Sequence, residues 1–197
     1  MARTTLVMKP SDYPDKDDEA GKKILKELFE QMFPGQANPE IPGKSAAFGT
    51  VARIPGLARH LVDLSGFMVR ECPWTSNRQD LKQLMIQTLN YHLKCDFCFL
   101  SHMQPAAALG LTLEQQASIP FWKTVNVFSD EQRLVIEYTF ATVAGDVPDE
   151  LFARVLKQYG EKEAVGLTVG IAWWSFWAMI INATRTDFDF GYGPKKA

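Results

Sequence analysis

Cysteine is scarce in this chain: there are three in 197 residues, an odd number. A disulfide framework is therefore not expected, which sets aside the small stapled folds and points to a reducing compartment with a specialised pair. An excess of charge of either sign is missing too. Lys and Arg total 21 against 23 Asp and Glu, a net charge of −2, so there is no electrostatic footprint for nucleic acid or anionic lipid. The opening MARTTLVMKPSDYPDKDDEAGKK lacks an apolar stretch of signal-peptide quality and is too acidic for a transit peptide; a cytoplasmic location is expected. Strand-like alternation is scarce, and internal repeats and low-complexity tracts are absent. With 46% hydrophobic and 22% charged residues, the composition is that of an ordinary globular protein.

What is present is helical patterning. Asp15 to Met32 carries Ile24, Leu25, Leu28, Phe29 and Met32 on one stripe before FPGQANPEIPG breaks it. A short run from Lys44 to Arg53 follows, then an amphipathic helix over Gly56–Arg70 with Pro55 where a helix start tolerates proline. ECPWTSN is a connector. Asp80–His92 and Cys95–Leu109 read as two further helices, the second closing near Gly110. Thr112-Leu113-Glu114-Gln115 has the form of a capping box, and Ser129 to Ala144 opens with Ser-x-x-Gln. Pro148–Gln158 and Glu163–Thr184 complete the series. The expected fold is all-α with short connections, divided into an N-terminal arm over 1–43 with one helix and a helical domain over 44–197. The first fifteen or so residues read as loose.

The last helix contains twenty uncharged residues from Val165 to Thr184, VGLTVGIAWWSFWAMIINAT, which satisfies the length rule for a membrane span. Thr168, Ser175 and Asn182 interrupt it, and Arg185 and Asp187 follow at once. A helix apolar all round also occurs inside bundles and at subunit interfaces, so a buried helix, not a span, is expected.

The chemistry concentrates in Cys95-Asp96-Phe97-Cys98-Phe99-Leu100-Ser101-His102. At about 100° per residue, helical offsets of three and seven fall within roughly 60° of each other, so Cys95, Cys98 and His102 share a face. Helical Cα atoms three apart lie about 5 to 5.5 Å from each other, within disulfide range. A neighbouring thiol, an imidazole and a helix N-terminus each lower a cysteine pKa; the first two are written in the sequence, and the third holds if a helix restarts near Lys94. Plainer readings compete. The cysteines could be ordinary core residues, or part of a zinc site, though only Cys72, His60 and His92 remain as Cys/His partners and none stands at paired spacing. A thioredoxin-type pair belongs in a βαβ setting that the pattern lacks. Cys72 reads as structural, His60 as packing or surface, and His92, three residues before Cys95, as a second-rank candidate.

AAFGTVARIPGLARHLVDL, DLKQLMIQTLNYHLKCDFCFLSHMQPAAALGLT and the helical tail from FSDEQRLVIEYTF to Asn182 follow one another over about 44–185. In that order they resemble the alkylhydroperoxidase D-like branch of the carboxymuconolactone decarboxylase family. The resemblance implies an all-helical bundle assembled as a trimer or hexamer, with no metal and no prosthetic group. It implies a peroxidase in which Cys98 attacks the peroxide, Cys95 resolves the sulfenic acid to a disulfide, His102 relays a proton, and an external thiol system restores the dithiol. The family pattern has a glutamate twelve residues before the first cysteine. Here that residue is Gln83, which hydrogen-bonds but takes up no proton. Either a relay is rebuilt from Asp80, Lys82 or His92, or the activity is slower, or the substrate differs.

The expected activity is thus thiol-dependent reduction of a small peroxide, in antioxidant defence. The alternatives are a disulfide-exchange carrier or sensor, which needs no acid for an alkoxide leaving group, and a non-catalytic oligomeric module. A lactone decarboxylase is the least favoured enzyme, because those relatives do not rely on a cysteine pair.

Overall fold

A computed structural model describes residues 2–187 and 190. Eight α-helices make up the described residues, with short 3₁₀ turns and no strand: α1 (Glu19–Met32), α2 (Ala46–Val51), α3 (Pro55–Arg70), α4 (Gln79–His92), α5 (Asp96–Ala108), α6 (Leu113–Ser118), α7 (Asp130–Ala144) and α8 (Asp149–Thr184). The protein is all-α. The chain divides into two compact units, one holding the residues up to Phe67 with the chain end from Ala183, the other Met68–Asn182.

In the first unit α1 begins at Asp18, whose carboxylate accepts from the Gly21 N–H at 2.8 Å and from the Tyr13 hydroxyl at 2.7 Å. This satisfies one of the orphan donors every helix start exposes. Leu25, Leu28 and Phe29 bury the inner stripe. The residues expected to be loose are packed instead. Val7 is fully buried, its N–H donates to the Gly49 carbonyl at 2.9 Å, and the Arg3 N–H donates to Thr184 at 2.8 Å. Short polar segments of this kind gain order from non-local backbone hydrogen bonds, which no local pattern announces.

The second unit is built around α4. Every residue from Leu81 to Asn90 is buried, so α4 is wrapped on all sides, and it packs most extensively against α5 and α7. Leu84, Met85, Ile86 and Leu89 are fully enclosed, each contributing about 1.5–3 kcal/mol of burial. Arg78, at the N-cap of α4, is tied to Glu131 at the start of α7 by two bonds of 2.5 and 3.0 Å. The capping boxes read from the sequence are present at both helices, Thr112 with Gln115 on α6 and Ser129 with Gln132 on α7. The two expected C-terminal helices are joined without a loop: Gly160, at φ 75° and ψ 168°, is the non-helical point within α8. Beyond it α8 lies close to the connector before α4, where Gly166 faces the Pro73 carbonyl and Gly170 faces Thr75. At its far end the Asn182 amide donates to the Leu93 carbonyl at 2.8 Å.

By length and composition α8 is apolar enough to cross a membrane, yet 44% of its most apolar stretch is buried within the protein. The remainder is one-sided. Val165, Val169, Ala172 and Met179 are exposed and Phe176 partly so, a stripe at helical spacing.

Candidate redox dithiol site

The link between α4 and α5 places the two cysteines. Lys94 adopts a left-handed conformation at φ 54°, which reverses the chain within three residues, and the Cys95 N–H then donates to the Asn90 carbonyl at 2.9 Å. Cys95 is thereby the N-cap of α5, at φ −97° and ψ 85°, and not its first helical residue; the helix proper begins at Asp96. Cys98 falls in the first turn. The restart near Lys94 thus puts both thiols at the positive end of a helix dipole, where a thiolate is favoured.

All three cysteines are free and buried. Cys95 is 1% exposed and Cys98 8%, so both residues are buried. The two sulfurs share a proton unequally. The Cys95 pKa is lowered, chiefly because the Cys98 thiol hydrogen-bonds to it, with burial opposing and the Cys98 N–H assisting. Cys98 is raised by that same hydrogen bond, then by burial and by the charge on Cys95. These directions make Cys95, the residue at the helix cap, the more acidic of the two.

His102 stands one helical turn beyond Cys98 on α5. Its Nδ1 lies 3.0 Å from the Gln83 side-chain oxygen. An amide oxygen only accepts, so Nδ1 carries the proton and Nε2 keeps its lone pair. Burial, followed by the charge of Lys82, lowers the His102 pKa to about 4, and the ring is neutral at physiological pH. Gln83 is itself buried and reaches α5 from the α4 face that also holds Gln87. The Gln87 amide donates to the Phe99 carbonyl at 3.2 Å and to Gln116 at 2.7 Å. This polar seam fixes the register of α4 against α5 and, with it, the imidazole.

The other candidates lie apart from this cluster. Asp80 is exposed at the start of α4, 3.7 Å from Arg78. His92 is exposed on the last turn of α4 with its ring against Phe140, centroids 5.6 Å apart. Cys72 is buried, its thiol 3.6 Å from the Pro73 carbonyl, in keeping with a structural role. Among the described residues no group of three or more His, Cys, Asp or Glu side chains is placed to hold a metal ion. Lys82 is the residue whose place the motif does not announce. It is buried, 4% exposed, beside Gln83 and within electrostatic reach of His102. Its signal lies in the helix, since on a segment buried all round even a lysine is enclosed.

The fold and site together define a class: a dithiol at a helix N-cap, with a neutral imidazole one turn on, in an all-α scaffold. Neither the scan against known protein-family models nor the search of curated proteins found a match to this chain.

Proposed function

We propose that the protein is a thiol-dependent peroxide reductase of the alkylhydroperoxidase D-like kind, cycling Cys95 and Cys98 between dithiol and disulfide. The observation that supports it most is the placing of both thiols at the start of α5 with the oriented imidazole of His102 one turn away. In the cycle, the Cys98 thiolate attacks the distal peroxide oxygen, forming an S–O bond as the O–O bond breaks; the displaced alkoxide leaves as an alcohol once protonated. Cys95 then attacks the sulfenic sulfur, and water departs as the disulfide forms. An external dithiol protein returns two electrons and two protons. For Cys98 to attack, the proton it shares with Cys95 has to move toward Cys95.

A second reading has a specific observation behind it. At neutral pH neither Gln83 nor a ring with a pKa of about 4 is an acid, so the protonation of an alkoxide has no ready donor. Thiol–disulfide exchange with another protein has no such demand. The deciding experiment is a peroxide titration of the reduced protein, counting free thiols by mass, with Cys98→Ser, Cys95→Ser and Gln83→Glu alongside. Peroxidase action is expected to consume two thiols per chain faster than free cysteine reacts, to leave sulfenic acid on Cys98 in Cys95→Ser, and to quicken in Gln83→Glu. Reaction no faster than free cysteine would sink the peroxidase and leave the exchange carrier.

The assembly proposed with this activity is a trimer or hexamer, in the cytoplasm, with the outer stripe of α8 covered by further copies of the chain. The opposite side of α8 is already packed on its own unit, which favours a protein neighbour over lipid all round.

A further inference from the structure

Lys82 has no counter-ion. Among the described residues its ammonium makes neither an ion pair nor a hydrogen bond; only 4% of the residue is exposed, and the ammonium tip keeps what contact with solvent there is. Taking a charge largely out of water without a partner is costly, and the surroundings show how such costs are otherwise met. Arg78, on the same helix and less buried, has a two-point partner in Glu131. The nearest acid in sequence, Asp80, is turned to the surface and to Arg78. Nearby polar groups on α4 find partners, Gln83 in His102, the Gln87 Nε2 in Gln116 and Thr88 in the Leu84 carbonyl at 2.8 Å, while the Gln87 Oε1 and the Asn90 amide are buried without one among the described residues. Burial lowers the Lys82 pKa, and the charge of Lys82 is felt at the His102 ring. A cation lacking its anion thus stands beside the imidazole of the dithiol site.

We propose that Lys82 is the anion-binding subsite of the dithiol centre and that the substrate is a small molecule bearing a carboxylate. The proposal rests on Cys95 and Cys98 being the reacting centre. One ammonium balances one negative charge, and the exposed acids Asp80 and Asp96 at the starts of α4 and α5 oppose a dianion such as phosphate. A carboxylate arriving near Lys82 supplies the counter-ion that the resting site lacks, while the rest of the substrate extends toward the dithiol.

The test compares alkylation of the reduced full chain by iodoacetate and by its neutral twin iodoacetamide, at low ionic strength, with adducts mapped by peptide mass. The ratio of the two rate constants is divided by that for 2-mercaptoethanol, which removes intrinsic reactivity. Wild type is expected to favour iodoacetate by roughly tenfold on this scale, as an opposite charge a few ångströms away at moderate effective dielectric implies. The preference is expected to shrink in about 0.5 M salt, to persist in Lys82→Arg and to vanish in Lys82→Met. A normalised ratio of one or less in wild type overturns the subsite, and needs no variant to fold. A preference that survives Lys82→Met removes it from Lys82. If Cys95 and Cys98 react with neither reagent while 2-mercaptoethanol does, the dithiol reading fails first, and the subsite with it.

Discussion

The Cys98 thiol is the largest influence lowering the Cys95 pKa. Cys98→Ala removes the donor and is expected to raise the Cys95 pKa, moving the midpoint of its alkylation rate upward in a pH profile; an unchanged midpoint would leave the helix cap as the sole cause. His102 makes a second prediction. Its folded pKa of about 4 lies below the ordinary 6.5, so the unfolded chain binds the proton more readily. Above 6.5 the ring is neutral in both states and nothing is lost. Between 6.5 and 4 the unfolded state gains a proton that the folded state refuses, and stability falls by at most about 3 kcal/mol. Urea unfolding across that window is expected to give a shallower pH slope for His102→Gln than for wild type. Much of this centre is legible in the sequence, because Cys-x-x-Cys-x-x-x-His needs only helical spacing to share a face. The inequality of the two thiols is not legible. It follows from a left-handed Lys94, a conformation that a lysine code does not announce, and from burial that only tertiary packing supplies.

At the scale of the elements, the helices themselves are written plainly: stripes in α1 and α3, capping boxes at α6 and α7, and prolines and glycines at the breaks. Their mutual approach is written more faintly. Gly166 on α8 is a case where local and tertiary preferences oppose each other. Replacing a helical glycine with alanine ordinarily stabilises by about 1 kcal/mol. Here the new Cβ falls 2.2 Å from the Pro73 carbonyl oxygen, backbone that cannot swing aside. Gly166→Ala is therefore expected to destabilise by about 2–4 kcal/mol, read as a lowered denaturation midpoint. Gly56→Ala, with open space about its Cβ, is the control expected to be neutral or mildly stabilising. Periodicity could not distinguish these two glycines, since both sit on helices and only one faces a neighbouring chain segment.

Taken as a whole molecule, the protein leaves its most apolar helix half covered. The sequence shows the charge-free run but not which side of it faces the protein, because apolar residues occur all round its circumference. If further copies cover the outer stripe, Met179→Glu, at a position 64% exposed in the single chain, is expected to reduce the molecular mass seen by light scattering to that of one chain without loss of helical signal. A monomeric wild type would discard that assembly. The Asn182 amide gives this surface a wider meaning. It lies on the same helix as the stripe and holds the Leu93 carbonyl, one residue before the left-handed turn that delivers Cys95 to its cap. If association moves the end of α8, this contact couples it to the segment that carries Cys95. Such coupling is reciprocal by thermodynamic necessity: any association that shifts the dithiol potential must itself shift by the same factor when the dithiol is oxidised. Dilution curves of the reduced and oxidised protein would then be separated by the same free energy that a redox titration finds between dilute and concentrated protein.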